Sequence, residues 1–326
     1  MVSQFLVVIG VSLVVLSVSV RAKEQWEGKI EHVVVLMMEN RAFDHLLGNL
    51  ALEEGSEVDG CVPGKDGCSN PENPEDASSA AHSVTWDAVY QQTDPCHTID
   101  CTTQQIYGVA NEQNEVPPAP HDQPTMQGFL SSYDDPTGGN GVEIMNQFSE
   151  QAVPVLTTLS KEYALFDGWF ASVPGPTMPN RAYVTSGTSD GMALNNKTTL
   201  IHGFKQKTMQ RQLLDMGLDY RVYYDDSPSI LCFKDIRYAR PFHRIHQMHS
   251  FYKDAASGDL PEFTWLEPSY FDMEHHPATD QHPAHDVSAG EGLIKKVYEA
   301  MRASPLWEKS ALIITYDEHG GFFDHA

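Results

Sequence analysis

Ile30 to Met38 (Ile-Glu-His-Val-Val-Val-Leu-Met-Met) is a nearly continuous apolar run rich in β-branched residues, the pattern of a strand buried on both faces. Ala311 to Tyr316 (Ala-Leu-Ile-Ile-Thr-Tyr) repeats that pattern near the other end of the chain. Just before it, Val287 to Ser304 places Leu293, Ile294, Val297, Tyr298 and Met301 on one stripe, with Pro305 following, which predicts an amphipathic helix. Val153 to Glu162 and Thr208 to Met216 predict two more helices. A helix feeding a buried strand is the unit of a parallel α/β sheet. Ligands of such sheets bind beyond the carboxyl ends of the strands. Both predicted strands run straight into acidic residues, Glu39-Asn40 and Asp317-Glu318, so the pattern alone brings carboxylates to one edge of the sheet.

Glu53 to Gln123 breaks this pattern. It is rich in Gly, Pro, Asp, Asn and Ser, holds four of the five cysteines, and predicts a long irregular excursion that walls or covers the site. The chain opens with an apolar run, Phe5 to Val20, that is short for a membrane span and ends in the small-x-small pattern Val20-Arg21-Ala22. The expectation is a signal peptide over residues 1–22 and a secreted protein. In an exported chain Cys61 with Cys68, and Cys96 with Cys101, suit short disulfide staples, other pairings staying open and Cys232 left over. No paired C-x-x-C supports zinc. Asn196-Lys197-Thr198 is a glycosylation acceptor on that route.

Composition adds a charge argument. Of 326 residues, 41% are hydrophobic and 20% charged, the balance of a folded globular protein. The net charge of −24 repels nucleic-acid phosphates over most of the surface, which argues against a nucleic-acid partner. It leaves room only for transient contact with a membrane surface. A phosphate-bearing substrate then needs a local positive device, and a divalent cation is the obvious one.

Three further stretches carry candidate chemistry. Adjacent carboxylates at Asp317-Glu318 repel unless a cation lies between them, and Gly320-Gly321 lets backbone approach a ligand. Pro174-Gly175-Pro176-Thr177-Met178-Pro179 is a rigid bend leading into a helix, where local sequence favours Thr177 as an N-cap. The functional alternative is a hydroxyl nucleophile near a helix N-terminus, where anions are favoured. Six of the 15 histidines lie between His275 and His325, including His275-His276 and His282-Pro283-Ala284-His285-Asp286. Clustered imidazoles suit phosphoryl contact or protonation of a leaving alkoxide.

Four blocks in order then carry a resemblance. Met38 to His45 resembles an E-N-R-x-F-D-H block, Val173 to Arg181 an S-V-P-G-P-T-x-P-N-R block, His282 to Val287 an H-P-x-H-D-V block, and Tyr316 to His325 a Y-D-E-H-G-G-F-x-D-H block. These belong to the phosphoesterase family of plant non-specific phospholipases C, bacterial phospholipases C and acid phosphatase A. The resemblance spans about Ile30 to Ala326 and makes residues 23–326 one phosphoesterase domain. It implies an α/β fold, the alkaline-phosphatase-like three-layer α/β/α sandwich. It implies that Glu39, Asn40, Thr177, Asp317 and Glu318 hold a divalent metal cation of unspecified identity. Thr177 is the implied nucleophile, while His282 and His285 contact the phosphoryl group or assist the leaving group. His121 is a looser match to another family histidine.

Family members continue beyond the G-G-F-x-D-H block, so a chain ending at Ala326 is expected to lack an edge of its sheet. The expected activity is phospholipase C-type hydrolysis of phospholipids to diacylglycerol and a phosphorylated head group. Acid phosphatase action on monoesters is the first alternative. An inactive secreted metal-binding or interaction protein is the second, and sulfatase chemistry is more distant, because position 177 is Thr rather than Cys or Ser.

Overall fold

The computed structural model describes residues 29–90, 93–108, 124–133, 141–238 and 243–326. The predicted signal peptide, Phe5 to Val20 within it, and His121 lie outside these residues. Five strands form the central sheet: β1 (His32–Met38), β2 (Tyr220–Tyr224), β3 (Ile245–Gln247), β4 (Phe263–Glu267) and β5 (Ser310–Tyr316). They are ordered β3-β2-β4-β1-β5, and every neighbouring pair is parallel. The mixed α/β reading therefore holds, with β1 inside the sheet as its apolar run predicts.

Alternation along β1 divides the core. Val34, Leu36 and Met38 pack with Phe251 of the helix Met248–Ser257 and with Leu293, Ile294, Val297 and Met301 of the helix Val287–Ala303. Val35 and Met37 face the other way, toward Ala182, Phe204, Ile230, Phe233 and Trp265. Side chains on a strand point alternately to opposite faces, so helices cover both sides of the sheet. The Val287–Ala303 helix starts where Asp286 caps the Ser288 N–H at 2.8 Å, and it ends just before Pro305. Ile294 lies at its centre with no exposed surface, and Ile294→Ala would cost about 2–5 kcal/mol. The two other predicted helices are Pro154–Glu162 and Met209–Asp215, the latter capped by Thr208. No helix among the described residues is long and apolar enough to cross a membrane.

Two expectations need correction. The run at β5 is not a strand buried on both sides. It pairs only with β1 among the described residues, is half-buried along its length, and exposes 45% of Ile313. Apolar composition reports that faces are coverable, not that a neighbour pairs on each side. The excursion of residues 53–123 is also less irregular than its composition suggests. It contains the helix Ile99–Tyr107, capped by Thr98 and stopped at Gly108 with φ +75°, and an antiparallel ladder between Ser69–Pro71 and Ala81–Ser83. A nine-residue helix rich in Thr and Gln shows little periodicity, so its caps were its only clear signal. Disulfides Cys61–Cys68 and Cys96–Cys101 form as expected, and Cys232 stays a half-buried thiol.

Candidate active site

Register builds the centre of the site. Met38 of β1 pairs with Tyr316 of β5, so Glu39 and Asp317 leave the sheet side by side at its carboxyl edge. Asn40 then takes a left-handed turn, φ +55°, a conformation that Asn tolerates better than most side chains. The turn points the Asn40 N–H at Asp317 Oδ1, 3.0 Å away. Gly320 makes this fit possible, because a Cβ on it would stand 2.2 Å from the Asn40 carbonyl oxygen.

Thr177 reaches the same place from the other face of the sheet. The bend before it is locked by Asn180, whose amide nitrogen donates to the Val173 and Gly175 carbonyls at 3.0 Å and whose oxygen accepts the Val173 N–H at 2.8 Å. The N-cap reading of Thr177 is overturned here. Pro176 holds the cap position, and Thr177 is the first residue of the helix Thr177–Ser186. Its hydroxyl is free of capping and donates to Asn40 Oδ1 at 3.3 Å. One turn on, buried Arg181 joins the two strand ends, with Nε 3.0 Å from Asp317 Oδ2 and Nη2 3.3 Å from Glu39 Oε2. A further guanidinium N–H reaches the Tyr270 hydroxyl at 2.8 Å. No sequence reading singled out Arg181 for this bridging role.

The electrostatics follow from burial. Burial pushes the Glu39 carboxyl up to about 8, against the pull of Arg181 and with help from Asp317, Asp280 and Glu318 nearby. Asp317 is raised for the same first reason, burial, with Arg181 opposing. Burial also works against the charge on Arg181, but Tyr270, Asp317, Glu39 and Glu267 outweigh it and keep the guanidinium protonated. Glu318 behaves differently. Burial raises it, yet hydrogen bonds from His319 and His97 prevail and hold it down to about 2.

His97 is the site residue that the sequence reading missed. It lies between Cys96 and Cys101, and its Nδ1 is 2.6 Å from Glu318 Oε1. Its Nε2 is 3.9 Å from Asp94 Oδ1, and Asp94 Oδ2 is 4.0 Å from His282 Nε2. A histidine flanked by two cysteines was the available signal, and it is weak. The histidine cluster itself divides. His282 Nε2 accepts from the Asn40 amide at 2.9 Å, which sends the imidazole proton to Nδ1, beside the Pro283 carbonyl. His285 Nδ1 bonds Asp280 at 2.7 Å, a contact that raises its pKa against partial burial. His275 is exposed and His276 half-buried against Asp225, and both stand apart from the cavity wall. His325 belongs to another cluster with Asp44, 2.7 Å away.

These groups surround an open cavity of about 480 Å³. Glu39, Thr177, Arg181, His282 and His285 line its polar side, and Met178 and Phe271 its apolar side. The donor set fits a hard divalent cation: carboxylate oxygens of Glu39 and Asp317, the Asn40 amide oxygen and the Thr177 hydroxyl, with two carboxyls whose raised pKa values leave them short of positive charge. Glu318 is oriented by His97 through Oε1 and by the Gly320 N–H through Oε2 at 2.8 Å, and each oxygen keeps a lone pair for a cation. Among the described residues, the carboxylate, imidazole and sulfur atoms that gather three together within 4.8 Å of one another are those of Asp44, Cys61 and His325 rather than of the Glu39 set, and the Cys61 sulfur is bonded to Cys68.

Comparison with known proteins identifies the family. The model of the phosphoesterase family matches residues 30–326. Non-specific phospholipase C6 of Arabidopsis thaliana is 40% identical over 306 residues, covering 94% of this chain and 56% of that protein. Non-specific phospholipase C1 of the same plant is 41% identical over 300 residues, 92% of this chain and 54% of that one. Phospholipase C B of Mycobacterium tuberculosis (strain ATCC 25618 / H37Rv) is 28% identical over 325 residues, 91% of this chain and 60% of that one. The chain thus spans little more than half the length of these relatives. On the family match across nearly all the described residues, the chain belongs to the phosphoesterase family.

Proposed function

We propose that the protein is a phosphoric ester hydrolase of phospholipase C type, with Thr177 as nucleophile. The observation that carries this reading is the Thr177 hydroxyl, buried, released from capping and held 3.3 Å from Asn40 Oδ1 beside the Glu39–Arg181–Asp317 bridge. Its relatives named phospholipase C support the substrate class. The reading extends to an alkaline-phosphatase-like architecture and, with two disulfides in support, to action after export.

Asn40 orients the Thr177 hydroxyl, and Thr177 Oγ attacks phosphorus as its proton passes to water in the open cavity. The P–O bond to the alcohol breaks in line with that attack. His285, held by Asp280, stands on the cavity wall where the departing alkoxide needs a proton, and His282, held by Asn40, lines the wall beside it. Water then cleaves the phosphothreonine and restores the hydroxyl. A divalent cation held by Glu39, Asn40, Thr177, Asp317 and Glu318 would supply charge stabilisation for the alkoxide and phosphoryl oxygens. Met178 and Phe271 on the cavity wall favour a substrate with an apolar portion over a bare monoester.

The test is purified protein on phosphatidylcholine vesicles and on p-nitrophenyl phosphate, with Thr177→Ala alongside. Diacylglycerol release that disappears in Thr177→Ala and on chelation is expected. Monoester turnover without diacylglycerol would replace the phospholipase reading by a phosphatase, and turnover indifferent to Thr177→Ala would sink the nucleophile.

A further inference from the structure

Cys96 and Cys101 are five positions apart, and the short loop they close carries His97. A disulfide in an exported protein is ordinarily a stabiliser, and one closing so few residues restricts the unfolded chain less than a long-range bridge does. The surroundings of this one are unusual in what they touch. Gly321 follows the acidic pair so closely that a Cβ on it would lie 2.6 Å from the Cys96 carbonyl oxygen. Buried Gln105 ties the same two segments together, donating to the Cys96 carbonyl at 2.9 Å and meeting His319 Nε2 at 2.8 Å. On the other side, a Cβ on Gly175 would stand 2.9 Å from Ile99, so the bend that carries Thr177 also rests on this helix start. The disulfide loop is wedged between the nucleophile bend and the acidic loop, with His97 directed at Glu318.

We infer that the Cys96–Cys101 disulfide is a positioning element of the active site: it holds His97 against Glu318 and so fixes the acidic loop relative to Thr177. The role rests on the hydrolase reading above, though the contact it requires can be observed without activity. Cys61–Cys68 is the internal contrast. Its backbone N–H at Cys61 donates to Asp44, on the side of the molecule away from the cavity. Opening Cys96–Cys101 frees the His97 backbone, and the imidazole leaves Glu318 while the two-faced core of the sheet stays intact.

A double-mutant cycle tests this in the full chain. Cys96→Ser/Cys101→Ser and His97→Ala are each expected to lower kcat/KM about tenfold or more, the effect of losing a partner that orients a ligand. If the bridge acts through His97, the combined variant falls no more than about twofold below the worse of the two. Multiplying losses, or full activity in a folded serine pair, would overturn the inference.

Should the serine pair not fold, the native protein is opened instead with a trialkyl phosphine, which with one water takes the disulfide to two thiols as it becomes the phosphine oxide. Trapping the thiols with iodoacetamide and mapping them by mass spectrometry identifies which bridge opened. Activity should fall in step with Cys96–Cys101 and return on reoxidation. Activity that persists with that bridge open refutes the role. A wild type that hydrolyses no phosphate ester would remove the hydrolase reading alone. The downfield Nδ1–H resonance of His97 bonded to a carboxylate should then still be seen in the wild type and vanish with the bridge, and its survival there would refute the positioning role.

Discussion

The same two chain segments, residues 39–45 and 317–325, build two clusters of carboxylate and histidine, and the described cavity of the site is lined from the first of them. In the first, Glu39, Asp317 and Glu318 meet Arg181 and His97 at the carboxyl edge of the sheet. In the second, Asp44, Asp324 and His325 meet behind it. Asp44 accepts the Cys61 N–H at 2.6 Å and both the backbone N–H and Nδ1 of His325, at 2.9 and 2.7 Å, while Asp324 accepts the Phe43 N–H at 3.0 Å. Composition does not distinguish the two. What differs is what each cluster presents. Both accept backbone amides, but the second ends in bonds to its own His325, whereas the first keeps Glu39 and Thr177 on the cavity wall. A buried acidic group is thus a catalytic candidate when its cluster also lines a cavity, and a structural one when its bonds end in the local chain.

The sharpest way to separate the clusters is the same chemical change in each. Asp317→Asn removes a carboxylate from the cation set and from Arg181, and hydrolysis should fall by about 10²-fold or more, with weaker divalent-ion binding by calorimetry. Gly320→Ala strikes the seam between the clusters, because its φ of +66° and the Asn40 carbonyl 2.2 Å from the new Cβ admit no side chain. A loss of at least about 2 kcal/mol in chemical denaturation is expected, together with reduced activity as Asn40 is displaced. Asp44→Asn should cost about 1–3 kcal/mol by weakening three hydrogen bonds to a buried acceptor, while kcat per folded molecule stays near wild type. A catalytic loss as large as that of Asp317→Asn would erase the distinction.

The smallest effect is in pH. Hydrogen bonding to Asp44 first, and nearby Asp324 and Asp59, raise His325 to about 9 against partial burial, and burial with the Asp44 charge raises Asp324 to about 8. Both groups bind their protons more tightly folded than unfolded. Their stabilisation is complete below the unfolded pKa of each and is lost as pH rises through the folded value. Glu39, also raised, acts in the same direction when no cation is bound. The thermal midpoint of chelator-treated protein should therefore drop between about pH 6 and about pH 9. Asp324→Asn should flatten that drop, and an unchanged slope would contradict a proton held by Asp324 in the folded protein.

Much of the site was legible in the sequence for one reason: a parallel sheet concentrates its chemistry at strand ends, and β1 and β5 are long enough to show where they end. Short elements left less trace. The five residues of β2, Tyr-Arg-Val-Tyr-Tyr, and of β4, Phe-Thr-Trp-Leu-Glu, fit either a strand or a helix turn when no partner is known. His97 was missed because its partner lies 221 positions away. The histidine-rich stretch misled by proximity, since His275 and His276 sit close to His282 in sequence yet stand apart from the cavity wall.

By itself the sequence determined the parallel α/β class and the two acidic strand ends, and it offered the two short disulfide pairs and Thr177 as candidates, since each follows from local pattern or from ordered blocks. Only the tertiary structure decided that Thr177 is not a cap, that Arg181 bridges Glu39 to Asp317, that β5 pairs with β1 alone among the described residues, and that a disulfide loop presses His97 onto Glu318. These are outcomes of strand register and of backbone passing within van der Waals contact of backbone. Periodicity along one segment reports which face is apolar, but what that face meets is set by residues hundreds of positions away.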